Sequence, residues 1–252
     1  SVLHVDDPER AELYRRLLAD DPPTYDQLSE REQRLARMLF WSLWPDGGGF
    51  TSYSEGLASL VKYLAVREEL HQVIELGLDA AEHVPLPLEV GLAHVPLATH
   101  ARYSREEILA ALGWATFDRK PTSFVTGVAW CPDTRTDALL ITLQKAAHEF
   151  SPNTMYRDFA QSPQLFHWES QNTTAVASQT GQRYLRHREL GTHILLFARV
   201  RKQSDVGGPM PYLCLGPAEY VSHRGERPIA IPWRLKHPLP TEFFRAAAVV
   251  AS

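Results

Sequence analysis

The sequence has almost no cysteine. Its two, Cys131 and Cys214, lie far apart and form no Cys-x-x-Cys pair. That excludes a disulfide scaffold or a structural zinc site and leads us to expect a reducing, cytoplasmic setting. No apolar run approaches the roughly 18 residues that a membrane span needs. Ser1 to Arg10 has no basic start followed by an apolar stretch, so neither a secretory signal nor a membrane partner is expected.

Catalytic signatures are missing as well. There is no Gly-x-x-x-x-Gly-Lys-Ser/Thr loop for a nucleoside triphosphate, and no Gly-x-Gly-x-x-Gly turn for a dinucleotide. His148-Glu149 runs into Phe-Ser-Pro, which cannot place a second histidine one turn on, and no Gly-x-Ser-x-Gly elbow occurs. The His-x-Lys of phospholipase-D-type nucleases is absent. The eleven histidines are scattered, and the nearest grouping, His187 and His193, matches no metal-ligand spacing. Neither catalysis by this chain alone, nor a metal, nor a cofactor is expected.

What is present is an ordinary folded composition: 252 residues, 44% apolar and 22% charged, long enough to bury a large core. The net charge of −4 hides an asymmetry. Residues 1–86 carry 8 Lys+Arg against 16 Asp+Glu, whereas residues 87–252 carry 18 against 14. An acidic front and a basic back point to two parts with different partners.

The front third carries helical periodicity. Asp6 or Asp7 can cap a helix reaching Ala19, with Leu13, Leu17 and Leu18 as its stripe, until Pro22-Pro23 stops it. Thr24 or the Ser29-x-x-Glu32 capping box opens a second helix, ended by Trp44-Pro45-Asp46 and three glycines. A third stretch runs from about Ser54 to Glu82. Pro85-Leu86-Pro87 is the boundary the sequence offers, dividing a helical linker or scaffold, 1–86, from a recognition domain, 87–252. Beyond it, Ser104-x-x-Glu107 caps one short helix. The rest alternates like strands over 123–130, 137–144, 165–168, 193–200, 211–215, 219–223 and 229–235. The fold class expected is α+β, a helical third followed by a β-rich, barrel-like domain.

One region is dense in polar and aromatic residues: Ser151 to Ala160, Ser162 to Thr174, and Thr180 to Tyr184. Amides and hydroxyls in a row, Ser170, Gln171, Asn172, Thr173 and Thr174, suit base edges and phosphates. Tyr156, Phe159, Phe166, Trp168 and Tyr184 offer flat faces for stacking. Gly181 would let backbone N–H groups approach a phosphate, with Arg183 and Arg186 beside it. A packing explanation stands beside each of these. Phe166 and Trp168 share one face of a strand, which suits core or cage alike, and Tyr156 and Phe159 have the i, i+3 spacing of a helical turn. The stretch 169–180 shows neither period, and a loop of that length is often functional. Arg224, Arg227 and Arg234 can track a nucleic-acid backbone or merely face solvent.

The ordered pattern Tyr103-Ser-x-x-Glu-Ile108, Ser151-Pro-x-Thr154-x-Tyr156-x-Asp158, Leu165-Phe-His-Trp168-x-Ser-Gln171, Thr180-Gly-Gln-Arg-Tyr184 and Leu215-Gly-Pro-Ala-x-Tyr220 resembles one C-terminal domain of formerly unknown function. That domain follows a phospholipase-D-like nuclease and a DEAD/DEAH helicase in SauUSI-like Type IV restriction enzymes. The resemblance covers about residues 87–240, with residues 1–86 more loosely similar to the linker after the helicase. Glu169 departs from it, standing where glutamine is expected. The resemblance implies a non-catalytic specificity module that reads 5-methylcytosine or 5-hydroxymethylcytosine in duplex DNA for helicase and nuclease domains of the same chain.

A cytosine mark can be sensed in the major groove, or the base can be flipped into an aromatic pocket as in SRA-type readers. On that scheme Tyr156, Phe166, Trp168 or Tyr184 stacks the base and Asp158 accepts from the cytosine amino group. Ser170 to Thr174 meet the backbone or the orphaned base, Arg183 and Arg186 the phosphates. Tyr103, Ser151 and Gln182 complete the implied DNA-contacting set. Two other classes compete: a clamp indifferent to modification, and a protein-interaction module.

Overall fold

The computed structural model describes residues 3–89, 91–144, 158–204 and 207–251, the last four of them in backbone only. Asp7 caps helix α1 (Pro8–Leu17), its carboxylate accepting from Arg10 N at 2.9 Å. The Ser29–Glu32 capping box opens α2 (Glu30–Leu43), and Thr24 precedes only a 3-10 turn, Tyr25–Gln27. The long third stretch is not one helix. It breaks into α3 (Tyr53–Ser59), a 3-10 turn and α4 (Leu64–Asp79), because Tyr63 leaves helical geometry at φ −116°, ψ 71°.

Beyond residue 85 come the short strands β1 (Leu86–Pro87), β2 (Ala98–Thr99) and β3 (Arg102–Tyr103), then α5 (Arg105–Ala111), capped by Ser104 and Glu107 as its spacing predicts. Next are β4 (Val128–Cys131), β5 (Thr136–Thr142), β6 (Phe159–Ser162), β7 (Leu165–Glu169), α6 (Gln179–Leu185) and α7 (His187–Leu190). The chain ends with β8 (His193–Arg199), β9 (Tyr212–Tyr220), β10 (Ala230–Leu235) and α8 (Thr241–Ala251). The α+β class is observed.

Among the described residues an eight-stranded sheet runs β4-β5-β8-β9-β10-β7-β6, with β3 also pairing β9. The neighbours are antiparallel except β5 and β8. Among the described residues the sheet does not close into a barrel. The sheet instead turns a corner at β9, whose first half lies beside β3 and β8 and whose last residues pair with β10. The two strands expected over 211–215 and 219–223 are thereby one. Gly216 sits at the bulge with φ +84°, and a Cβ there would lie 2.5 Å from Thr99 Oγ1.

Strand alternation sorts the interior into two cores. Ala138, Leu140, Leu195, Phe197 and Cys214 face the helices and join Leu17, Met38, Phe40, Trp41 and Ile108, a cluster that takes residues from both sides of residue 86. Leu139, Ile141, Leu196 and Leu215 face the other way. They meet Phe166, Trp168, Tyr184, Ile231 and Trp233, with Phe243 and Phe244 of α8 packed at the margin.

Candidate nucleic-acid interface

The non-periodic stretch after β7 is tied down. Ser170 extends the β7–β10 ladder: its N–H donates to Ile229 O at 2.9 Å and its hydroxyl accepts from Ile229 N at 2.8 Å. Val176 N donates to Glu226 O, and Arg227 Nε donates to Asn172 O at 2.6 Å. Ser178 caps α6 through Gly181 N at 3.0 Å, and Gln182 Nε2 reaches back to Val176 O at 2.9 Å. Gly181 is therefore a packing glycine, since a Cβ would sit 2.2 Å from Ala175 O, and its N–H belongs to the cap. The loop is held at both ends against the turn before β10. What it leaves outward is exposed Asn172 and Thr173, half-buried Gln171, and, across from them, exposed Arg224 and Arg227. Thr174, by contrast, is buried.

Trp168, Tyr184 and Phe166 are only 4%, 2% and 0% exposed. Trp168 meets Tyr184 edge-on at 5.3 Å and lies 6.4 Å from Trp233, so these rings fill the second core and turn no open face to a base. Burial pushes the Tyr184 hydroxyl's pKa up.

Arg183 is similarly occupied. Its Nε and Nη2 each donate at 2.9 Å to the two oxygens of buried Asp137, and its guanidinium lies 4.2 Å over the Trp130 ring. Burial pushes the Asp137 carboxyl up, against which the bidentate guanidinium works. Arg186 remains exposed and pairs with Glu189 at 2.7 Å. Arg188, next along, pairs with Glu219 of β9.

Tyr103 lies in the first core, under the helices, with Ala98 N donating to its hydroxyl at 2.8 Å and Arg10 stacked 4.4 Å above its ring. Asp158 immediately precedes β6, and its Oδ1 accepts from Glu169 N at 3.0 Å. Ser151 and Tyr156 lie outside the described residues. The structure thus gathers Asp158, Ser170 to Thr174 and the exposed arginines at one end of the β7–β10 ladder. It sends Phe166, Trp168 and Tyr184 inward and Tyr103 to the opposite face of the sheet.

The sequence leaves open whether Arg224 and Arg227 contact a ligand; the hydrogen bond of Arg227 to Asn172 and the bridge of Arg224 to Ala230 bring both to one rim. Both cysteines are buried, and burial pushes each thiol up to about 12, so neither is poised as a nucleophile. No group of three or more His, Cys, Asp or Glu able to hold a metal is found among the described residues.

The chain has an α+β fold with an open, cornered sheet, the N-terminal helices on one face, α6 and α8 against the other, and a loop rim bearing arginine and amide side chains at one end. The family model described as "Domain of unknown function (DUF3427)" matches residues 97–247, and the chain belongs to that family. No curated protein matches the sequence. Among solved structures the chain is similar to "The 5-Hydroxymethylcytosine-Specific Restriction Enzyme AbaSI", with 12% identity and a TM-score of 0.35. The match covers 75% of this chain and 57% of that one, so the chain spans little more than half that protein's length.

Proposed function

We propose that this chain is a non-catalytic DNA-reading module that recognises modified cytosine, 5-methylcytosine or 5-hydroxymethylcytosine, for a helicase and nuclease of the same restriction system. The observation that carries the reading is the pinned rim. Residues 170–176 are hydrogen-bonded to residues 226–229, which fixes a surface of amides, hydroxyls and two exposed arginines at the end of a rigid ladder. Binding surfaces built on such supports lose little entropy when a ligand docks. The arginines suit phosphates, and the amides and hydroxyls suit base edges.

The ordered motifs of residues 103–220, which resemble the C-terminal domain of SauUSI-like enzymes, narrow the ligand to modified cytosine. Because Trp168 and Tyr184 are consumed by the core, a flipped base would have to stack on other rings, and contact from the rim into a groove is the alternative route. The test is a binding titration of the chain against matched duplexes carrying plain cytosine, 5-methylcytosine, 5-hydroxymethylcytosine or a phosphorothioate linkage. Tighter binding to one or both modified-cytosine duplexes is expected. Equal affinity for all four at physiological salt would reduce the module to a general clamp.

A further inference from the structure

The strands that send Phe166 and Trp168 into the core must send their alternate residues outward. On β7 those are Leu165, His167 and Glu169. Register places Phe159 of β6 and Pro232 of β10 on either side of His167, so the three form one row across the sheet. The Phe159 and His167 rings are stacked, with centroids 4.9 Å apart and planes 21° from parallel. Both are half-buried, and among the described residues Phe159 is packed against neither buried cluster. The next row of the ladder pairs Glu169 with Ala230, and Ala230 is bridged to Arg224 of the rim. Asp158 and Glu169 meet at this end of the pair, the carboxylate of one on the N–H of the other at 3.0 Å.

We propose that Phe159 and His167 form the stacking platform for a nucleobase on this outer face, a role that deepens the DNA-reading assignment and rests on it. A stacked aromatic pair on the face turned away from both cores gives a flat surface beside the rim arginines, which matches the way nucleic-acid surfaces hold unstacked bases. Glu169, two residues along β7 from His167 and on the same face, repels a phosphate and accepts from an exocyclic amino group. The platform therefore fits an amino-bearing base such as cytosine, with the phosphates left to Arg224 and Arg227.

The full chain, as wild type, Phe159→Leu, Phe159→Trp and His167→Ala, is titrated with a duplex holding one central 5-hydroxymethylcytosine next to 2-aminopurine. Affinity, 2-aminopurine fluorescence and melting temperature are recorded for each. Phe159→Leu keeps apolar volume but loses the flat face. It is expected to lose roughly 5- to 150-fold in affinity and the fluorescence change, while Phe159→Trp retains both. Wild-type affinity and signal in Phe159→Leu and His167→Ala overturn the platform and leave DNA reading standing. Failure of the wild type to bind overturns both.

A second measurement needs no variant: irradiating the wild type with a duplex bearing 5-iodocytosine at the modified position and mapping the adduct. Cross-links within residues 158–169 support the platform. Cross-links confined to other segments overturn it.

Discussion

Arg10 and Glu107, 97 residues apart, meet as a fully buried ion pair, Nη1 to Oε1 at 2.7 Å. Arg10 also donates to Arg102 O and pairs with Asp6, and Tyr14 donates its hydroxyl to the same Glu107 oxygen at 3.1 Å. Glu107 does double duty, closing the capping box of α5 with its other oxygen, Oε2 to Ser104 N at 2.8 Å. Burial pushes the Glu107 carboxyl up, and Arg10 acts to hold it down. The acidic helical front is thus fastened to the β-rich part by charge in the buried interior.

Arg10→Leu is expected to cost about 3–5 kcal/mol, because it leaves Glu107 buried without its partner. Urea unfolding followed by helical circular dichroism and by tryptophan fluorescence should move together, since one core takes residues from α1, α2 and the sheet. If the helical signal is lost in a separate, earlier transition, the two parts are independently stable units.

Much of this was legible in the sequence, for local reasons. Asp7, Ser29 and Ser104 mark helix starts because a short oxygen-bearing side chain satisfies the free N–H groups of a first turn. The strands β5 and β8 were legible as strands, although their positions are buried on both faces rather than alternating. The corner at β9 was not legible, since Gly216-Pro217 looks like a break and is a bulge that only the close approach of Thr99 explains. Phe159 was misleading for a related reason. Its spacing from Tyr156 mimics a helical turn, while its true partner, His167, is fixed by a register that no single-strand pattern reveals. The candidate site divides the same way. Residue types suited to DNA are visible in the run Ser170 to Thr174, but which aromatics face inward depends on strand parity relative to a core that sequence does not locate.

Arg183 is expected to act in folding rather than on phosphate. Arg183→Lys removes the two-pronged contact with Asp137, and a lysine cannot reproduce that planar fork. A loss of about 1.5–3 kcal/mol in chemical denaturation is expected, with the salt dependence of DNA binding unchanged. A shallower salt slope at unchanged stability would make Arg183 a phosphate contact instead.

The rim arginines should behave in the opposite manner. Each phosphate contact releases condensed counterion, so Arg224→Ala and Arg227→Ala are each expected to lower the slope of log K against log salt by about 1. Melting temperature should hardly change for Arg224→Ala. Arg227→Ala also frees Asn172 O from its 2.6 Å hydrogen bond and should add faster amide exchange across 171–176. Slopes identical to wild type in both variants would remove the rim from the interface.

His187 makes stability depend on pH through its buried place beside β9 and Trp233. It is buried, its ring lies 6.0 Å from that of Trp233, and its Nε2 accepts the N–H of Tyr220 at 3.1 Å, which requires that nitrogen to be unprotonated. Burial pushes the imidazole below its ordinary 6.5; Arg188 and His193 act in the same direction, and Thr192 and Glu219 against it. Because the folded value is the lower one, the unfolded chain binds the proton first as pH falls. The stabilisation is complete above 6.5 and is lost as pH falls through the folded value. Burial lowers His100 and His193 too, with the same sign. The melting temperature is therefore expected to fall between pH 7.5 and 5.5. His187→Gln, which keeps an acceptor but cannot charge, should flatten that decline. An unchanged slope in the variant would assign the pH dependence to the other two histidines.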